Sequence, residues 1–120
     1  MKRIHIVLLL LVTSVVSAQW AEGQTQRQPS IISFDAPGAG GEPFQGTYPY
    51  GINAVGLITG WYLDGNNQAR GFLRVPDGTI TSFSVPNAGT GPFLGTGPWS
   101  INPEGATAGY YADENCVAHG

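Results

Sequence analysis

The chain has 120 residues, with five Lys and Arg against eight Asp and Glu, a formal net charge of −3 and one cysteine. So little positive charge leaves no electrostatic footprint for a phosphate backbone or an anionic membrane surface, so nucleic acid and acidic lipid are not expected partners. A lone cysteine, Cys116, excludes an intrachain disulfide and reads as a small residue in a loop or strand end, not as a reactive thiol.

The first eighteen residues differ in kind from the rest. Lys2 and Arg3 precede an apolar run from Ile4 to Val16, and Val16-Ser17-Ala18 ends it with the small residues that a signal peptidase reads. The run is about 13 residues, short of the roughly 20 that a bilayer-spanning helix needs. Residues 1–18 are therefore expected to be a signal peptide, the product to be secreted or periplasmic, and no membrane span to remain after cleavage. Loss of Lys2 and Arg3 would leave Arg27, Arg70 and Arg74 as the strong bases and a net charge of about −5. Residues 19–30 are polar and Gln-rich without apolar periodicity, and read as a flexible leader.

From Ile31 onward the pattern is that of short strands. Ile31 to Ala36 alternates, with Ile32, Phe34 and Ala36 on one side, and Pro37 ends it. A second strand is expected over Thr47 to Ile52, turning at "NAVG", and a third over Leu57 to Leu63. The third places Thr59, Trp61 and Leu63 on one face and Ile58, Gly60 and Tyr62 on the other, and breaks at "DGNN". Ala69 to Val75 is the fourth, and "PDG" at Pro76 to Gly78 signals a reverse turn into Ile80 to Val85. Eighteen glycines and nine prolines punctuate the chain too often for helix, and no stretch keeps apolar i, i+3, i+4 spacing for three turns.

The sequence then repeats itself. In a register of 49 residues, Ser33 to Gly71 lies over Ser82 to Gly120 with roughly half the positions identical, among them Phe34/Phe83, Phe44/Phe93, Pro49/Pro98, Gly60/Gly109, Tyr62/Tyr111 and Asp64/Asp113. The shared residues are turn formers and large apolar side chains, which preserve a backbone path and a buried face. Residues 31–79 are expected as a first β repeat and 80–120 as a second, truncated one. The fold class this implies is all-β: tandem four-stranded antiparallel units of about 49 residues, each the size of a propeller blade, in a propeller-like but incomplete array of fewer than two blades. A sandwich or a β-solenoid would also accommodate the strands.

The stretches "GINAVGLITGWYLDGNNQARGFLR" and "INPEGATAGYYADENCVAHG", joined by "DGTITSFSVPNAGTG", resemble the exported bacterial repeat proteins of the HAF type. The resemblance covers Ile31 to Gly120 and implies an extracellular, propeller-like array of unassigned biochemical role, with no catalytic residues to carry over. Arg70 stands where that pattern expects His, whereas His119 fits it. The second unit stops where the first continues "RGFLRVPDG", so the sequence reads as a fragment of a longer array, or else as a chain of which several copies close a ring.

Candidate chemistry is sparse. Asp64/Asn66 and Asp113/Asn115 share an Asp-x-Asn start with some Ca²⁺ loops, but calcium takes six to eight oxygens and these loops are poor in carboxylate, so they read as strand turns. Trp61, Tyr62, Tyr110 and Tyr111 in the third strands, with Tyr50 and Trp99 in the second, read as core or blade-to-blade packing, with a sugar- or peptide-stacking platform as the other reading. His119 is the one histidine after the expected signal peptide, leaving no Ser/His pair, and Gly38, Gly40 and Gly41 run into Glu42-Pro43 with no helix to form a phosphate loop. No catalytic, cofactor-binding or metal residue is expected. The leading expectation is a scaffold or interaction module that is not an enzyme. The alternative is a carbohydrate- or peptidoglycan-binding module, and the third reading is a fragment of an extracellular enzyme. Self-association through open strand edges, or a polysaccharide or protein ligand, are the partners this implies.

Overall fold

Short turns set the architecture. Asn53–Gly56, Asp64–Asn67, Val75–Gly78, Asn102–Gly105 and Asp113–Cys116 each close with a hydrogen bond from the last residue's amide to the first residue's carbonyl, at 2.9 to 3.1 Å. Gly56, Gly78 and Gly105 sit at positive φ in these turns, as does Asn67. Strands joined so tightly pair as antiparallel neighbours. The structure, a computed structural model, describes residues 28–120, and Ser33–Gly120 forms one unit. The expected signal peptide and all but the last three residues of the expected leader lie outside the described residues.

The seven strands are β1 (Gly46–Ile52), β2 (Ile58–Leu63), β3 (Ala69–Arg74), β4 (Ile80–Phe83), β5 (Gly95–Ile101), β6 (Thr107–Ala112) and β7 (Ala118–His119). The fold is all-β: no helix occurs among the described residues, and none there is long and apolar enough to cross a membrane. The strands form one curled mixed sheet, a half-barrel in the order β1-β2-β3-β5-β6-β7, with β4 paired to β3 beside that path. It is an incomplete, propeller-like arrangement in which β1 to β4 are one antiparallel meander and β5 to β7 repeat its first three strands.

β3 is where the sheet forks. Gly71 to Arg74 pair with Phe83 to Ile80 of β4, while Ala69 makes a parallel bridge with Gly95 of β5. The strand that opens the second repeat in sequence thus completes the first sheet in space. Ile31 to Ala36, its equivalent 49 residues earlier, was expected to be a strand but forms none. The physical reason is pairing: Ile80–Phe83 is delivered to β3 by the Pro76–Gly78 turn, whereas no strand among the described residues precedes Ser33 to receive it. A vestige of the equivalence survives, because the Ala36 amide donates to Thr47 Oγ1 at 2.8 Å and the Val85 amide to Thr96 Oγ1 at 2.9 Å.

The core lies in the first unit. Phe72 is 0% exposed, Tyr62 and Ala36 pack beside it, and Phe34, Ile58 and Ile80 cover its margin. The Phe34 ring meets Phe72 edge-on at 6.0 Å, and the Arg74 guanidinium carbon lies over the Phe34 ring, 4.9 Å from its centroid. Two buried hydroxyls are satisfied within the sheet, Thr59 Oγ1 donating to the Phe72 carbonyl at 3.1 Å and Tyr62 Oη lying 3.1 Å from Ser82 Oγ. Removing the ring that everything else covers is therefore expected to cost most: Phe72→Ala should lower the unfolding free energy by about 3–5 kcal/mol in urea titration. A loss below about 1 kcal/mol would contradict this placement of the core.

Candidate functional site

Proline against glycine shapes the surface that the repeats share. Pro49 of β1 faces Gly60 of β2, and Pro98 of β5 faces Gly109 of β6. Proline gives the ladder no N–H, and a Cβ at Gly60 would collide with the Tyr48 carbonyl oxygen, as one at Gly109 would with that of Gly97. The strands therefore come unusually close, and the register slips by one residue between Pro49 and Gly51 and between Pro98 and Ser100. The residue left unpaired in each bulge is aromatic, Tyr50 in the first unit and Trp99 in the second. A bulge re-aims the side chain it frees.

These two side chains connect the units. Tyr48 stacks on Trp61 with ring centroids 4.4 Å apart and planes at 25°, Trp61 on Tyr50 at 6.1 Å and 15°, and Tyr50 on Trp99 at 5.0 Å and 18°. Tyr110, tilted by 54°, lies 6.2 Å beyond Trp99. Five rings thus make one file running from the first unit into the second. Tyr50, Trp99 and Tyr110 are 47%, 52% and 45% exposed, although each has a neighbouring ring within stacking or tilted contact. Trp61 Nε1 is buried and has no hydrogen-bond acceptor among the described residues.

As the alternation requires, Trp61 and Tyr62 go to opposite faces, the first into the file and the second into the core. Beside the file is a cleft of about 190 Å³ lined by Trp61, Leu63, Phe93 and Tyr110 together with the small residues of β5. Nothing in the alternation pattern points to Phe93 as part of this cleft. Phe44 and Phe93 hold φ of 68° and 62°, a left-handed backbone rare for a bulky residue, and both rings are exposed. For Phe93 the constraint is visible, since its amide donates to the Asn67 carbonyl at 2.7 Å while the next carbonyl, of Leu94, accepts from Ala69 at 2.8 Å. That pair of bonds clamps the second unit to β3. Gln68 Nε2 to the Gly89 carbonyl at 3.2 Å and Asn53 Nδ2 to the Asn102 carbonyl at 3.1 Å add two side-chain ties.

The Asp-x-Asn loops are occupied by their own backbone. Asp64 Oδ1 accepts from the amides of Asn66 at 2.9 Å and Gln68 at 3.0 Å, and Oδ2 from Arg70 Nε at 3.1 Å. Asp113 repeats the arrangement with Asn115 at 2.8 Å and Val117 at 2.9 Å, and Oδ2 lies 3.1 Å from His119 Nε2. Asn66 and Asn115 contribute their main chains, not side-chain ligands, to these turns. His119 replaces Arg70 in the second unit and stacks on Tyr111, with centroids 4.9 Å apart.

No known protein family, curated protein or solved structure matches the chain.

Partial burial raises the Asp64 pKa, but hydrogen bonds from Asn66, Arg70 and Gln68, with the charge of Arg70, outweigh it and hold the carboxyl below its ordinary value. A pKa lower in the folded state means that the unfolded chain binds the proton more readily. The turn's contribution is then fully present above the unfolded value of about 3.9 and is lost as pH falls through the lower folded value. Stability measured by urea titration should accordingly decline as the solution is taken below about pH 4, and Asp64→Asn should flatten that decline while lowering stability at neutral pH. An unchanged pH profile in the variant would remove Asp64 from this role.

Proposed function

We propose that the chain is an exported β-repeat scaffold or interaction module of the HAF type, with no chemistry of its own, whose successive units dock on each other through stacked aromatic rings. The observation that carries this reading is the file Tyr48, Trp61, Tyr50, Trp99 and Tyr110. A sugar-binding platform leaves ring faces free for the ligand, whereas here faces of Trp61 and Tyr50 are committed to neighbouring rings, two of them supplied by the bulges. The nearby carboxylates support the same reading, since Asp64 and Asp113 serve turns and their bases are the adjacent Arg70 and His119.

A second reading, an extracellular carbohydrate- or peptidoglycan-binding module, is favoured by one observation. The cleft beside Trp61 and Tyr110 is apolar, open, and flanked by the strained, exposed Phe93. A ligand there would lie along ring edges.

A double-mutant cycle separates the two. Tyr50→Ala and Trp99→Ala should each destabilise, and their coupling should be about 0.5–1.5 kcal/mol, the worth of a stacked aromatic pair beyond its buried area. Cellulose, chitin and peptidoglycan should fail to retain the full chain in a pull-down. Zero coupling between Tyr50 and Trp99 would sink the docking role. Retention on a polymer that Phe93→Ala or Tyr110→Ala abolishes would establish the second reading instead.

A further inference from the structure

At two positions where a large side chain of the first repeat gives way to a small one in the second, the small residues face the same space. Tyr48 of β1 pairs with Trp61 of β2 and stacks on it at 4.4 Å, whereas the equivalent pair in the second unit is Gly97 of β5 with Tyr110 of β6. Leu63 of β2 likewise becomes Ala112 of β6. Gly97 and Ala112 both line the cleft of about 190 Å³ that Trp61, Phe93 and Tyr110 also wall. The room is therefore made by side-chain size at positions inside β5 and β6.

Neither backbone nor crowding requires glycine at 97. Unlike Gly46 and Gly95, Gly97 does not sit at positive φ. Unlike Gly60 and Gly109, it has no backbone atom in the way: a Cβ there would stand 3.4 Å from Tyr110 Cε1 and 3.7 Å from Trp61 Cδ1, ordinary van der Waals separations. What glycine does at 97 is leave open the room that a ring takes at 48. The first unit also shows which ring suits it, because Tyr48 donates its hydroxyl to the Phe44 carbonyl at 2.8 Å. Phe44 and Phe93 are equivalent and share the left-handed backbone, with φ of 68° and 62°, so the Phe93 carbonyl takes the corresponding place beside the cleft. Gly97 gives that carbonyl no hydroxyl.

We propose that the cleft binds a single neutral phenol ring substituted opposite its hydroxyl. The ring lies where the Tyr48 ring lies in the first unit, packed against Tyr110 and flanked by the Cδ1 edge of Trp61, and its hydroxyl donates to the Phe93 carbonyl. Size and polarity agree with this occupant. The volume is below the roughly 300–1,000 Å³ of pockets that take drug-sized ligands, and suits one ring. Its walls are aromatic and aliphatic, and no charged side chain among the described residues lines it. The inference goes beyond the docking of repeats on one another and is separable from it.

The probes are 4-hydroxyphenylacetamide and phenylacetamide, which differ by the hydroxyl alone, titrated into the full chain by isothermal titration calorimetry. Saturable binding of the phenol at one site per chain is expected, with phenylacetamide about threefold to tenfold weaker for want of one hydrogen bond. Gly97→Tyr returns the first unit's ring to the second and should abolish binding with no drop in melting temperature. Should that variant fail to fold, Gly97→Ala, whose Cβ the space accepts, should still weaken binding at least threefold. N-acetyltyrosinamide tells the source of the ring: tighter binding than 4-hydroxyphenylacetamide identifies a tyrosine of a polypeptide, and weaker binding a free phenolic molecule. No saturable binding, equal affinity for the two acetamides, or undiminished binding by the Gly97 variants would overturn the proposal. So would displacement of the phenol by chitin or cellulose oligosaccharides, which would give the cleft to carbohydrate. Phenol binding without Tyr50–Trp99 coupling would remove only the scaffold reading, and coupling without phenol binding would remove only this site.

Discussion

The close approach of Pro49 to Gly60, repeated at Pro98 and Gly109, constrains most of what the molecule does with its aromatic residues. Pro49 lies in the edge strand β1 and Pro98 in β5; a proline brings no N–H to its strand, and a glycine opposite allows the backbones to come together. The register must then absorb one residue. Because that residue is Tyr50 in one unit and Trp99 in the other, the irregularity sends a large ring out of each sheet towards the neighbouring unit, where the two rings meet at 5.0 Å. Replacing either glycine by a residue with a Cβ would push the strands apart and take the bulge, the ring's direction and the inter-unit stack with it.

Stability is distributed unevenly between the repeats although their sequences are close. β2 is buried at four of six positions, whereas β6 is exposed at four of six. The difference comes from coverage, not propensity. Ile58 to Leu63 have β3 along their edge and Phe72 over their face, while Thr107 to Ala112 have two residues of β7. Since burial of apolar area is the dominant favourable contribution to folding, the first unit supplies most of the stabilisation. The second is held chiefly by what it shares with the first: the aromatic file, the Asn67–Phe93 and Ala69–Leu94 backbone bonds, and the side chains of Gln68 and Asn53.

Much of this was legible in the residues. Alternation gave β2 to within one residue and split its faces correctly, and the Asp64 and Asp113 turns followed from the ability of Asp and Asn to bond their own backbone. The repeat register carried over to geometry, so that positive φ recurs at Phe44 and Phe93, Gly46 and Gly95, Gly56 and Gly105, and Asn67 and Cys116. Two things were out of reach. Alternation assigns Ile31 to Ala36 a face but cannot supply the neighbouring strand that makes an extended segment a β-strand. Nor does period-2 reasoning anticipate a bulge, so Tyr50 and Trp99 were placed in their strands without any indication that they would meet. The Pro-Gly pairs were the available signal, but reading them needs the register between strands, which is a tertiary fact.

The way in which the units meet has a further consequence. Asn53 of the first unit reaches the backbone of Asn102, its own equivalent in the second, and the file likewise brings Tyr50 to Trp99. The contact joins like parts in a head-to-tail sense, so the surface that one unit offers differs from the surface that it accepts. Such heterologous contacts propagate along an array in place of closing a symmetric pair, and each interface adds an approximately equal increment of stability.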